Sequence, residues 1–96
     1  HKITYDLYKE GLTIDEISKK RNLKSTTIFS HLAVLYTEGK DIEIYDFVTK
    51  EEVEKVRKAK DLLESPFALK PYFEYFNAEI PYFKIRLALT IIDTDG

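Results

Sequence analysis

The sequence predicts an all-α protein with at most one short strand. Three observations carry that expectation. Apolar residues recur at helical spacing along most of the chain, and capping boxes that start helices stand at Thr13–Glu16 and Thr49–Glu52. Only the segment 41–48 alternates in the manner of a strand, and no second strand is at hand to pair with it. With 96 residues, 44% of them apolar and 33% charged, the chain has room for one core. The expectation is a single helical domain over 1–96. It has a first half at 2–38, an extended connector at 39–49 and a C-terminal half at 50–96.

The elements follow in order. Residues 2–10 place Ile3, Leu7 and Tyr8 on one stripe, and Gly11 closes that helix where a left-handed cap is cheapest. Thr13 opens a second helix with Ile14 and Ile17 facing inward, and Lys19, Lys20 and Arg21 suit the dipole at its C-terminal end. Asn22 tolerates a positive φ, and Leu23 drops back to the core. A third helix runs from Ser25 to about Glu38 with Ile28, Leu32 and Leu35 inward, until Gly39 stops it. The stretch 41–48, with Ile42 and Ile44 alternating, is a short strand or an extended connector. Thr49 then opens a helix over 50–64 whose apolar face is Val53, Val56, Ala59 and Leu63, the rest being a solvated Glu/Lys/Arg surface. Pro66 ends it. Residues 67–77 read as a short helix with Pro71 near its start, Asn77 as a turn, and 81–92 as a last helix with Pro81 in its first turn. The tail, from Asp93 to Gly96, is expected to fray.

Composition excludes several functions for this segment. The chain has no cysteine, which removes thiolate zinc sites, iron–sulfur clusters and a cysteine nucleophile. Its two histidines cannot build a metal site, and three scattered glycines form no phosphate-cradling loop. No cofactor is therefore expected, nor catalysis, since no local arrangement pairs a nucleophile with a base. No apolar run approaches the ~20 residues of a membrane span. The chain lacks methionine even at position 1, which leads us to expect a piece of a longer protein.

Residues 12–35 carry the sharpest pattern. A helix-turn-helix needs an apolar residue in its first helix (Ile17), a small one where the helices cross (Ser18) and a residue tolerant of positive φ in the turn (Asn22). An apolar residue then follows at once (Leu23), with an apolar anchor five further on (Ile28). All five stand at that spacing. Such a motif sets the N-terminal half of its second helix toward a major groove. Lys19, Lys20, Arg21 and Lys24 gather around the turn beside Ser25, Thr26 and Thr27. Cations, hydroxyls and helix amides together make a phosphate cradle. Four phosphate contacts give a salt slope of only about −3.6.

Base readout is expected to be poor. The outward positions, Phe29, Ser30 and Ala33, cannot make the bidentate hydrogen bonds that read bases. Phe29 is expected to pack on the second half of the chain rather than meet a base, and His31 to be a half-buried packing histidine. The net charge of −2 and pI near 5.7 also oppose tight binding, DNA-binding domains commonly exceeding about 9. The cation surplus is local: residues 1–40 hold seven Lys/Arg against five Asp/Glu, and residues 41–64 five against eight. Seven of the thirteen aromatics (Phe67, Tyr72, Phe73, Tyr75, Phe76, Tyr82 and Phe83) crowd into 67–83. Interleaved with Lys70, Lys84 and Arg86, they are expected to build core rather than a base-stacking platform for single strands, any surplus marking a contact with a partner or parent domain.

The run from Glu10 to Leu35, EGLTIDEISKKRNLKSTTIFSHLAVL, resembles the helix-turn-helix domain at the C-terminus of bacterial RecQ-type DNA helicases. Leu69-Lys70-Pro71 and the run IPYFKIRLAL over 80–89 follow in that family's order, so the resemblance spans nearly the whole chain. Pro81 stands where the family tends to have serine, a change that a first helical turn accepts. The resemblance implies a non-catalytic accessory module of an ATP-dependent 3′→5′ DNA helicase of recombination and repair. Its ATP-binding motor would lie upstream, and the protein would be cytoplasmic and nucleoid-associated. Its partners would be DNA, held weakly and without sequence preference, and the upstream domains. The alternative is a protein–protein or intramolecular docking module that keeps the helix-turn-helix shape without touching DNA.

Overall fold

The computed structural model describes residues 1–63 and 68–95, the side chain of Asp95 excepted. Six α-helices and one 3-10 turn make up the described residues, with no strand among them. The chain divides into two compact units, residues 1–42 and 43–96, and the boundary falls inside the stretch expected as a connector.

The first unit holds α1 (Lys2–Lys9), α2 (Ile14–Arg21) and α3 (Ser25–Thr37). Leu7, Ile17 and Ile28, one from each helix, form its centre, with Tyr8, Leu12, Ile14 and Leu23 packed around them. Burying each of the two isoleucines contributes roughly 1.5–3 kcal/mol. All three helices end in the same way. A residue two or three past the helix end donates its amide to the carbonyl five residues back, as Leu12 does to Leu7, Leu23 to Ser18 and Lys40 to Leu35. The residue just before that donor turns left-handed: Gly11 at φ +95°, Asn22 at +53° and Gly39 at +85°. This is the Schellman closure, which satisfies carbonyls that the helix leaves unpaired.

Ile3 departs from the expected stripe and is 58% exposed, while Thr4 beside it is fully buried. The cause is polar. The Thr4 hydroxyl is needed inside by partners on α2 and α3, and that sets the rotation of α1.

The second unit begins with a 3-10 turn at Ile44–Asp46, where a strand was one of the two expectations. A lone strand would leave its ladder groups unpaired, and a 3-10 turn bonds its own backbone instead. Its alternating apolar residues are buried nonetheless, Ile44 at 2% exposure. Helix α4 (Lys50–Leu62) buries Val53, Val56 and Ala59 and starts at the Thr49–Glu52 capping box, both of whose bonds are formed. The helix stops at Leu62, short of the expected Glu64, and Leu63 of its expected apolar face is already extended at φ −90°, ψ 138°; Pro66 and the ring of Phe67 lie outside the described residues.

Helix α5 (Leu69–Tyr75) and α6 (Tyr82–Asp95) follow, joined by a Schellman turn at Asn77, φ +53°. The Pro81 carbonyl accepts the first two bonds of α6, from the amides of Lys84 and Ile85, so proline precedes the helix rather than sitting within it. The expected frayed tail is helical through Asp95. Asp93 accepts a hydrogen bond from Lys60 of α4 at 3.0 Å, and Lys84 of α6 donates to Glu52 at 3.1 Å, so two ion pairs tie α6 to α4.

Candidate nucleic-acid interface

The turn between α2 and α3 is held by more than its backbone. The Ser18 hydroxyl donates to the Leu23 carbonyl at 2.6 Å, which explains a small polar residue where the helices cross. The capping box at Thr13 fixes the other end of α2. Glu16 accepts from the Thr13 amide at 2.9 Å and the Thr13 hydroxyl from the Glu16 amide at 3.2 Å. Those bonds, the Thr13 amide first, hold the Glu16 carboxyl below its ordinary value.

Lys24 is the N-cap of α3 and no side chain caps that end. The first amides of α3 therefore face outward as donors with a positive dipole behind them. Lys19, Lys20 and Lys24 are exposed, and among the described residues none forms an ion pair. Thr26 is exposed beside them, with Ser25 and Thr27 half-buried. One short turn thus brings together three exposed cations, three hydroxyl side chains and an open helix N-terminus.

Two expected members of the site stand elsewhere. Arg21 is half-buried and donates to the Thr4 hydroxyl oxygen at 2.7 Å, and it lies 3.4 Å from Nδ1 of His31. A buried hydroxyl needs such a donor, and the long arginine stem reaches it. Ala33, expected outward, is only 6% exposed, a lone methyl between the larger Phe29 and Tyr36 on its helix. Ser30 remains on the face, but its hydroxyl donates to the Thr26 carbonyl at 3.1 Å and so is spent on its own helix. Phe29 is half-buried.

The Thr4–Arg21–His31 cluster was invisible to apolar periodicity. Arg21 donates to the Thr4 hydroxyl oxygen, which shares a hydrogen bond of 2.9 Å with Nδ1 of His31, and the Arg21 guanidinium stands 3.4 Å from that same nitrogen. Burial and the Arg21 guanidinium hold His31 below its ordinary value. The one sequence signal was Thr4 itself, placed three residues before Leu7 and hence on its face.

The comparisons agree with this geometry. A family model described as a helix-turn-helix domain matches residues 1–89, and the chain belongs to that family. It is therefore a helix-turn-helix domain, a class of fold that serves DNA binding. Among curated proteins it is similar to Protein YpbB of Bacillus subtilis (strain 168), at 28% identity over 99 aligned positions. That match takes in 91% of this chain and 24% of the relative, so the chain spans about a quarter of the relative's length. No solved structure matches. No helix among the described residues is long and apolar enough to cross a membrane, and no cluster of His, Asp or Glu there could hold a metal ion.

Proposed function

We propose that this domain is a non-catalytic DNA-binding accessory module that grips phosphates through the α2–α3 turn and does not read bases. The observation that carries the reading is the coincidence of Lys19, Lys20 and Lys24 with the uncapped N-terminus of α3. The spent hydroxyl of Ser30 and the burial of Ala33 support the absence of base readout. With Arg21 turned inward, three cations remain and the salt slope becomes about −2.7.

The parent protein, on this reading, is a RecQ-like ATP-dependent DNA helicase of a bacterial cytoplasm. The likeness of residues 10–35 and 69–89 to that family's accessory domain supports the parentage. A helicase motor encoded upstream of residue 1 is the expected finding, and a parent chain without one contradicts it. DNA contact is tested by fluorescence anisotropy on several unrelated duplexes. Similar affinities that all fall together as salt rises support the reading. A strong preference for one sequence at physiological salt overturns it.

A second reading, a docking module that has kept the shape alone, is favoured by one observation. Arg21, the cation best suited to phosphate, is engaged inside the fold. On that reading no duplex binds at any salt concentration.

A further inference from the structure

Helices α5 and α6 carry a pair of rings stacked flat on each other. Phe73 and Tyr82 lie with centroids 4.4 Å apart and planes within 10°. Tyr82 is 42% exposed, so the pair is not sealed into a core. Such a pair offers a π face onto which a third flat ring can add. Cations accompany it. Lys70 stands three residues before Phe73 on α5, and Arg86 four residues after Tyr82 on α6.

At 100° per residue, both positions turn to the same side of the α5–α6 hairpin, about one turn from the rings. Both are exposed, and among the described residues neither forms an ion pair. Glu74, the acid of α5, shares that side and forms no ion pair with Lys70. The net charge among the three is thus positive. A ring face flanked by two cations, neither held in an ion pair, matches a base and its phosphates better than an apolar peptide. The base must be unpaired, because a duplex shows only the edges of its bases.

We propose that the α5–α6 hairpin carries a second nucleic-acid site, for a single strand. An unpaired base stacks on Tyr82 while Lys70 and Arg86 hold the adjoining phosphates. This site is separate in sequence and chemistry from the α2–α3 turn and stands or falls independently of it.

The test titrates the full chain against fluorescein-labelled oligo-dT and against a duplex of equal length. Tyr82→Ala should weaken oligo-dT binding about ten-fold and leave duplex affinity alone. Tyr82→Phe should retain oligo-dT binding, and Lys70→Ala with Arg86→Ala should weaken it. Unchanged oligo-dT affinity in Tyr82→Ala overturns the proposal. So does a wild-type chain that ignores oligo-dT, which would leave the patch to a protein partner. Photocross-linking of an iododeoxyuridine oligonucleotide to the wild-type chain gives an answer even if a variant unfolds. Adducts within 70–86 support the site, and adducts confined to other residues overturn it.

Discussion

Thr4 is a fully buried polar residue on which α1, α2 and α3 converge through Arg21 and His31. Burial and the Arg21 guanidinium disfavour a second proton on His31, and that gives the fold a pH dependence with a definite sign. The native His31 binds its proton less readily than the unfolded chain does, so stability is whole above the ordinary value of 6.5. It declines as pH falls through that value toward the lower native one. Urea melts between pH 7.5 and 5 should show the decline, and His31→Gln should flatten it; equal slopes for both proteins would contradict the cluster. The acids Glu16 and Glu52, held below 4.5, add losses only at lower pH, as it falls through their native values. Asn22 makes a second residue-scale case. At φ +53° it pays little for the left-handed turn, whereas Asn22→Ala should cost about 1 kcal/mol and Asn22→Gly little. Chemical denaturation reads both. This turn was legible in the sequence because so few residue types serve there. The Thr4 cluster was not, since a buried threonine breaks no apolar pattern and the reach of Arg21 is set by tertiary structure.

At the scale of elements, each helix that starts at a capping box stood where its box placed it. The signal is local, four residues long, and independent of what the helix packs against. The segment 41–48 was ambiguous for the opposite reason: alternation reports burial, and a strand also needs a neighbour that the sequence does not supply. The end of α6 was misjudged because its last turn is held from α4, by Lys60 on Asp93, a bond between residues far apart in sequence. Glu52 does two jobs at once. It completes the box at Thr49 and accepts Lys84 from α6; burial opposes its charge, yet the Thr49 amide and the Lys84 ammonium prevail and lower its pKa. Thr49→Ala should therefore cost about 1 kcal/mol. Glu52→Ala should cost more, because it also strips a half-buried Lys84 of its partner. Thermal melts of the two variants give the order, and an equal or smaller loss in Glu52→Ala would contradict the shared role.

For the whole molecule, the central claim is that affinity for duplex DNA comes from cations at the α2–α3 turn and from little else. The sequence placed those cations together, because they lie within six residues. It could not show that Arg21 leaves the group, which depends on a hydroxyl seventeen residues away. The most direct test compares the wild-type chain with Lys20→Ala/Lys24→Ala on one duplex across a range of salt. Both lysines are exposed, so melting should change by less than about 0.5 kcal/mol. The slope of log affinity against log salt should fall from about −2.7 to about −0.9, with weaker binding on any sequence. An unchanged slope and affinity, with unchanged melting, would contradict the account and leave the helix-turn-helix as a docking surface.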